Sequence, residues 1–368
     1  RPFFVALPFT DANGNEVTDI YAYPKNSTGT VDITKEISKV GETSQDDNTT
    51  EANANIGDVI TYEVTFDVPV PENGLAELKV VDKMDKGLTF DNGDEAITIS
   101  RTTTGHTDTL EKNTDYTVTP AGGNGVATTI TIDFANYLDE LTANSTESFT
   151  ITYRATLNSN AVLGQVANKN SVELQWTNQG EPAHEPEPGN ETKVFTYGID
   201  LLKTGEENAV LANVEFELTD GTGAPVNVAK GDNSYYTPDK IGSSNKVVTD
   251  SEGKINIRGL VPGTYTLTET KTHTGYVLLK NPVTIVIKQE SAETGAATAT
   301  VNGKAVTMEK DELNKSSLTA KVPLNVVNSK GFDLPQTGAA GTAIFAIAGI
   351  VLVAVAGALL IFRRKAQK

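Results

Sequence analysis

The chain has 368 residues, with 30 lysines plus arginines, 48 aspartates plus glutamates and no cysteine, so its formal charge is −18. This length allows two or three domains that each bury a core. The excess of acid argues against a nucleic-acid partner, because no basic surface can dominate such a chain. Without cysteine there are no disulfides, thiolate zinc sites or cysteine nucleophiles. Only three scattered histidines remain. We therefore expect no metal, no cofactor and no conventional hydrolase.

Residues 1–30 form the first segment of the chain. It begins at Arg1 without a signal peptide. The side chains of residues 1–8 follow the alternating pattern of a β-strand whose partner strands are absent. We expect that an export signal and most of a preceding domain are missing, and that residues 1–30 are a remnant of that domain plus a linker. The linker contains Tyr23-Pro24-Lys25-Asn26. Pro24 removes a backbone donor, which keeps this segment out of a central strand.

Alternating apolar and polar residues predict β-strands through most of the remaining chain. The runs are rich in Thr, Val, Ile and Tyr, and turn-forming residues separate them. Clear examples are 59–66, 129–134, 149–153, 172–176 and 283–287. Short strands at this spacing predict an all-β protein with tandem immunoglobulin-like sandwiches. A single helical turn is predicted at 136–141.

A Pro- and Glu-rich segment at 179–192 divides the predicted sandwiches. It separates a domain at 31–178 from one at 193–331. Proline and mutual repulsion of acidic side chains both favour an extended backbone, so the segment is predicted to be a stiff linker.

The C-terminus carries three signals in order. Residues 332–338 include Leu334-Pro335-Gln336-Thr337-Gly338. Residues 339–362 then form a stretch of 24 residues without a charged side chain, which is long enough to span a bilayer as a helix. The tail at 363–368 is basic, and positive charge after a span holds that end in the cytoplasm. Residues 1–338 are therefore predicted to lie outside the membrane.

This arrangement of pentapeptide, apolar span and basic tail resembles the cell-wall sorting signal of Gram-positive surface proteins. The resemblance implies that a sortase cleaves between Thr337 and Gly338 and passes the Thr337 carbonyl to an amine. Tyr23-Pro24-Lys25-Asn26 resembles the pilin motif of shaft pilins, in which a lysine attacks the sortase-held threonine of the next subunit. The upstream tryptophan of that motif is missing, because Glu16 stands there.

Three polar residues of the second predicted domain fall on apolar strand faces, namely Lys203, Glu269 and Asn328. Such residues are costly to bury unless they meet. The stretch from 259 to 276 resembles the E-box of collagen-adhesin B-type (CnaB) domains, with Thr272-His273 in place of the usual Ala-Pro. The resemblance implies a spontaneous amide bond between Lys203 and Asn328, assisted by Glu269. Burial would favour the neutral amine and the neutral acid that this chemistry needs.

A similar set occurs in the first predicted domain. Lys35 lies on the same inward strand face as Ile33 and Ile37. Lys39 is less central in that strand. Residues 80–90 resemble the acid-bearing segment of the same pilin class, which marks Asp82 as the assisting acid. Asp58 is an alternative acid, although its position after a glycine is better explained by a turn.

The asparagine partner of Lys35 lies in the strand that resembles the last strand of such domains. Asn168 and Asn170 are spaced by even numbers of residues from Val172 and Trp176, so in a strand they are expected to face inward with them. Asn170 is the preferred partner, and Asn168 is the alternative.

Together these motifs resemble the sortase-assembled major pilins of the SpaA/FimA type. The resemblance implies a structural subunit of a cell-wall-anchored pilus shaft that supports adhesion and is not an enzyme. It also implies a sortase, identical subunits and peptidoglycan as partners, with minor pilins and host surface ligands as further candidates. Membrane contact would be limited to the transient C-terminal helix. The alternative is a wall-anchored adhesin that is never polymerised, in which Lys25 would be inactive.

Overall fold

The structure, a computed structural model, describes residues 9–10, 16–17, 31–91, 97–103, 105–123, 125–231 and 235–331. Lys25, the sorting motif at 334–338 and the predicted span at 339–362 lie outside these residues. Within the described ranges, no helix has the length and apolar character needed to cross a membrane.

The described chain consists mainly of β-strands, as the alternating sequence predicts. The strands up to residue 195 are β1 (Phe9–Thr10), β2 (Glu16–Val17), β3 (Ile33–Val40), β4 (Thr43–Ser44), β5 (Glu51–Asn53), β6 (Val59–Val70), β7 (Leu75–Met84), β8 (Leu88–Phe90), β9 (Ile97–Thr103), β10 (His106–Leu110), β11 (Thr117–Gly123), β12 (Val126–Asp133), β13 (Ser145–Leu157), β14 (Asn168–Asn178) and β15 (Glu187–Phe195). The later strands are β16 (Tyr197–Gly205), β17 (Glu215–Asp220), β18 (Val228–Lys230), β19 (Tyr236–Pro238), β20 (Lys246–Val248), β21 (Lys254–Leu260), β22 (Gly263–Lys271), β23 (Val283–Gln289), β24 (Ala297–Val301), β25 (Lys304–Val306) and β26 (Lys321–Asn328). Short 3₁₀ helices lie at Leu138–Glu140, Gly164–Val166 and Glu206–Asn208.

Strands β3 to β15 build the first sandwich from two sheets. One sheet has the order β10-β9-β13-β6-β3-β4, with β8 also paired to β13, and the other has the order β11-β12-β7-β14-β15-β5. Strand β6 buries every second residue along its whole length, which is the period expected when one face of a strand lies in the core. Phe66 and Phe149 stack in this core, with ring centroids 4.9 Å apart. The predicted all-β fold class is confirmed.

Strands β16 to β26 build the second sandwich. Its sheets have the orders β18-β19-β21-β16-β26 and β20-β17-β22-β23-β24-β25. Its core includes Ile199, Phe216, Leu267 and Ile285, all fully buried. The first and last strands of the domain, β16 and β26, are parallel neighbours in one sheet. This pairing brings residues that are far apart in sequence onto adjacent strands.

The structure differs from the prediction of a stiff linker at 179–192. Strand β15 begins at Glu187, and it pairs with β14 on one side and with β5 on the other. Gly189 fits there because a side chain would collide with the backbone oxygen of Ile33. The Pro- and Glu-rich composition is typical of a linker, but the inward-facing Thr192 and Val194 are buried. The second half of the segment is therefore part of the first sandwich.

The two sandwiches meet at a buried joint. Only Thr196 separates β15 from β16, and it is fully buried. Beside it, Arg258 Nη1 lies 2.7 Å from Asp311 Oδ1, and both side chains are at most 1% exposed. Asp311 Oδ2 also accepts a hydrogen bond from the backbone N–H of Leu163 in the first sandwich, and Arg258 Nη2 donates to the backbone oxygen of Ala161. The ion pair thus ties the second sandwich to a loop of the first.

Replacing Asp311 with alanine should loosen this joint. Arg258 would lose its buried carboxylate and keep only the longer contact with the exposed Glu312, and removing one partner of a buried ion pair destabilises by about 3–5 kcal/mol. Calorimetry should then show separate unfolding of the two sandwiches and a lower first transition. Glu252→Ala is the matched control, because its pair with Lys254 is exposed and should be worth about 1 kcal/mol or less. Equal effects of the two changes would contradict a joint that depends on Asp311.

Candidate functional site

Lys35, Asp82 and Asn170 meet between the two sheets of the first sandwich. Lys35 lies on β3 of one sheet, and the other two residues lie on the neighbouring strands β7 and β14 of the opposite sheet. Each is at most 1% exposed. The ammonium group of Lys35 donates to Asp82 Oδ2. The structure therefore brings the three predicted residues together, while the covalent bond between them stays a prediction.

Two tyrosines enclose this lysine. Tyr62 on β6 and Tyr153 on β13 face each other in register, and their rings stack with centroids 5.4 Å apart. Lys35 Nζ lies 5.1 Å and 5.4 Å from the centroids of the two rings. The Tyr153 hydroxyl donates to Asp82 Oδ2 over 2.5 Å and accepts a hydrogen bond from Asn170 Nδ2 over 2.9 Å. Tyr153 thus connects the acid to the amide.

Burial shifts the pKa values of Lys35 and Tyr153 in this cluster. Desolvation lowers the pKa of Lys35 from 10.5 to about 8, although the charge of Asp82 and its hydrogen bond oppose the shift. Burial and the charge of Asp82 raise the pKa of Tyr153 well above its usual value. At neutral pH the phenol therefore keeps its proton. The amine has a much larger neutral, nucleophilic fraction than an exposed lysine.

The backbone of Lys35 is held by a side chain that the sequence did not single out. Asn190 on β15 accepts a hydrogen bond from the Lys35 backbone N–H and donates one to its backbone oxygen, both over 2.6 Å. This paired contact fixes the position of β3 at the point where the lysine enters the core.

The alternative asparagine, Asn168, is also buried, but its amide contacts the backbone. Its Oδ1 accepts a hydrogen bond from the Val162 N–H over 2.9 Å, and its Nδ2 donates to the oxygens of Val162 and Val194. By contrast, Asn170 Oδ1 accepts no hydrogen bond from the described residues. The carbonyl of Asn170 is therefore the one that a neighbouring acid could polarise.

The alternative acid, Asp58, has a different role. Its Oδ2 accepts a hydrogen bond from the backbone N–H of Asn55 over 2.9 Å, and its Oδ1 lies 2.8 Å from Lys240 Nζ of the second sandwich. These contacts stabilise a turn and the joint between the domains.

The second cluster joins Lys203, Glu269 and Asn328. Lys203 and Asn328 lie on the parallel neighbours β16 and β26, and Glu269 lies on β22 of the opposite sheet. Asn328 Nδ2 donates to Glu269 Oε1 over 2.6 Å and to Thr272 Oγ1 over 2.7 Å. Lys203 Nζ donates to the backbone oxygen of Val326 over 3.1 Å. Here, too, the structure brings the predicted residues together.

Burial has the same effect on this lysine. Desolvation lowers the pKa of Lys203 from 10.5 to about 8, and the charge of Glu269 opposes the shift. Asn328 Oδ1 and Glu269 Oε2 accept no hydrogen bond from the described residues. The site therefore contains a partly neutral amine, a carboxyl group in contact with the amide nitrogen, and an unpaired amide oxygen.

Sequence reasoning missed three residues of these clusters, and two of them had a weak signal. Tyr153 lies two residues after Ile151 in an alternating strand, so it is expected to face inward as well. Thr272 stands where the E-box resemblance expects alanine. Asn190 was hidden in the segment that was predicted to be a linker.

Three families match parts of the chain. The Cna-B-like domain of Gram-positive pilin backbone subunit 2 matches residues 56–180. The SpaA prealbumin-like fold domain matches residues 198–302, and the LPXTG cell wall anchor motif matches residues 326–368. The chain therefore carries a Gram-positive pilin backbone domain, a SpaA domain and a cell wall anchor motif. It is a subunit of a pilus shaft, located outside the cell and anchored to the cell wall.

Similar proteins agree with this assignment. This backbone pilin is 26% identical to the fimbrial subunit type 1 of Actinomyces viscosus, over 99% of this chain and 69% of that protein. It is 23% identical to the trypsin-resistant surface T6 protein of Streptococcus pyogenes, over 100% of this chain and 76% of that protein. Its fold is similar to the full-length major pilin RrgB of Streptococcus pneumoniae, with a TM-score of 0.57 and 19% identity over 86% of this chain and 77% of RrgB.

A second solved structure with a similar fold is the 35 kDa C-terminal fragment of the Streptococcus agalactiae major pilin GBS80. It has a TM-score of 0.53 and 19% identity, over 82% of this chain and 100% of the fragment. The anchor motif and the pilin family imply that the chain is a sortase substrate and is polymerised with other pilin subunits. Its role is structural.

Proposed function

We propose that this shaft pilin is stabilised by two internal amide bonds, Lys35–Asn170 and Lys203–Asn328. Asp82 assists the first bond and Glu269 assists the second. The observation that carries the proposal is the burial of each lysine amine beside an asparagine amide and a carboxyl group. An unreacted ammonium group in such surroundings has a large desolvation penalty, and amide formation removes that charge permanently.

The chemistry of each bond is an amide exchange. The neutral lysine nitrogen attacks the asparagine Cγ, and the neutral carboxyl group polarises the amide oxygen. A proton passes from the attacking nitrogen to the departing one, the Cγ–Nδ2 bond breaks, and ammonia leaves. Folding holds the groups in place, and such fixed proximity supplies much of the acceleration in intramolecular reactions.

The two bonds would close long loops in a chain without cysteine. About 135 residues separate Lys35 from Asn170, and about 125 separate Lys203 from Asn328. In the chain-entropy account of cross-links, a closed loop of this size stabilises the folded state by about 4–5 kcal/mol. Unlike disulfides, these bonds cannot be opened by a reductant.

Polymerisation in this proposal links one subunit to the next through Thr337 and Lys25. A sortase cleaves the Thr337–Gly338 bond, holds the Thr337 carbonyl as a thioester on its cysteine, and transfers it to the Lys25 amine of another subunit. Peptidoglycan receives the last subunit, and minor pilins and host surface ligands are further partners. The finished fibre supports adhesion.

Changing Glu269 to alanine should prevent the second bond. The intact mass should be about 17 Da, one ammonia, above the mass calculated for the same variant with both bonds formed. The melting temperature should fall because the loop is no longer closed. Glu293→Ala, an exposed position of the same domain, should keep the loss of both ammonia molecules and the wild-type melting temperature. A full theoretical mass for the folded wild-type protein would refute both bonds.

The rate of bond formation should depend on pH through the lysine. Because the pKa of Lys203 is about 8 in the folded state, the neutral amine should increase about tenfold per pH unit below that value and change little above it. Chain recovered unfolded from inclusion bodies can be refolded between pH 6 and pH 9, with ammonia loss followed by mass spectrometry. A rate that still rises about tenfold between pH 8 and pH 9 would mean that the lysine reacts while it is still exposed to solvent.

Changing Lys25 to alanine should stop polymerisation in a host that carries the pilin sortase. The high-mass ladder on denaturing gels should disappear, because no amine remains to accept the Thr337 carbonyl. Lys39→Ala, at an exposed position, is the control and should leave the ladder intact. Persistence of the ladder in Lys25→Ala would exclude this lysine as the acceptor. A wild-type protein without a ladder would instead favour the non-polymerised adhesin.

A further inference from the structure

The hydroxyl of Tyr153 lies between two groups that the proposed reaction must connect. It accepts a hydrogen bond from Asn170 Nδ2, the nitrogen that would leave as ammonia, over 2.9 Å. It donates to Asp82 Oδ2 over 2.5 Å. The same carboxylate oxygen accepts from the ammonium group of Lys35. An unbroken chain of hydrogen bonds therefore runs from the attacking nitrogen to the leaving nitrogen.

We propose that Tyr153 is a catalytic residue of cross-linking in the first sandwich and relays a proton from Asp82 to the leaving nitrogen of Asn170. This inference rests on the proposed Lys35–Asn170 bond. Asp82 is hydrogen-bonded to the hydroxyl of Tyr153, and Asn170 Nδ2 contacts that hydroxyl, so the tyrosine is placed to connect them. An amide nitrogen leaves readily only after it has been protonated, so a proton donor at this nitrogen is a direct requirement of the chemistry.

The proton transfers balance in this scheme. Starting from a neutral amine and a neutral acid, the Lys35 nitrogen bonds to Asn170 Cγ. Asp82 gives its proton to the Tyr153 oxygen while Tyr153 gives its own hydroxyl proton to Nδ2, and the Lys35 nitrogen then returns a proton to Asp82. The Cγ–Nδ2 bond then breaks and ammonia leaves. Asp82 and Tyr153 end in their starting states, so neither residue is consumed and no further reactant is needed.

The surroundings of Tyr153 suit this role. Its side chain is nearly inaccessible, at 2% exposure for the residue, and its ring is held by stacking on Tyr62. Burial and the neighbouring carboxylate raise its pKa well above the usual value, so the hydroxyl keeps its proton at neutral pH. A fixed hydroxyl in a dry core is placed to move a proton with little rearrangement.

The second sandwich provides an internal comparison. There Asn328 Nδ2 donates directly to the carboxyl oxygen of Glu269, over 2.6 Å. The acid and the leaving nitrogen are already in contact, so no relay is required. A defect in the relay should therefore slow only the first bond, and the second bond of the same molecule reports whether the chain has folded.

The test is the rate of each bond in Tyr153→Phe. Unfolded chain from inclusion bodies is refolded, samples are quenched and digested, and the two cross-linked peptides are quantified separately by mass spectrometry. Phenylalanine keeps the ring but removes the hydroxyl. The first bond should form about 100-fold more slowly, within the range for loss of a positioned proton donor, and the second should form at the wild-type rate. Tyr116→Phe, a buried tyrosine that packs near Phe134, should change neither rate.

Three outcomes separate the ideas. A wild-type rate for the first bond in Tyr153→Phe overturns the relay and leaves the bond itself in place. Absence of the first bond from the wild-type protein overturns the bond, and the relay with it. Because Tyr153→Phe could fail to fold, the wild-type rates are also measured in mixtures of light and heavy water. A relay moves two protons, so the first bond should show a curved dependence on deuterium content, and a linear dependence would overturn the relay.

Discussion

The burial of a lysine amine in an apolar interior is the constraint on which the rest of this structure depends. Lys35 and Lys203 are each at most 1% exposed, and a buried ammonium group is tolerated only where partners compensate for lost hydration. Asp82 contacts the first lysine directly, whereas the second lysine contacts the backbone oxygen of Val326. Both pKa values are lowered to about 8. The core therefore keeps these amines close to their reactive form.

The two clusters occupy different positions in their sandwiches, and the proposed bonds would act differently on the fold. Lys35 and Asn170 belong to opposite sheets, so their bond would hold the two layers together. Lys203 and Asn328 belong to adjacent parallel strands, so their bond would lock two neighbours in register. In a fibre linked through Lys25 and Thr337 as proposed, tension would enter the second sandwich at Tyr197 and leave beyond Asn328. With the bond in place, this tension would pass directly from β16 to β26 and bypass the chain between them.

The sequence predicts strands and inward-facing residues well, because a period of two assigns each side chain to a face. That parity placed Lys35 and the residues of the second cluster on inward faces, whereas the resemblance to shaft pilins singled out Asp82. It could not separate Asn168 from Asn170, since both face inward and only tertiary contacts show that the Asn168 amide is occupied by backbone groups. Tyr153 was missed for a related reason. An inward tyrosine is common in a core, and its importance depends on which side chains meet its hydroxyl.

The prediction of a stiff linker at 179–192 was incorrect because strand β15 begins within this segment. Composition describes what a segment prefers when it is alone, but strand pairing on both sides of β15 overrides that preference. Because β15 also supplies Asn190 to the backbone of Lys35, the segment that enters the second domain helps to build the first cluster. The buried Thr196 and the buried Arg258–Asp311 pair then connect the two sandwiches. In the proposed fibre, load would therefore pass between the two clusters through this buried joint.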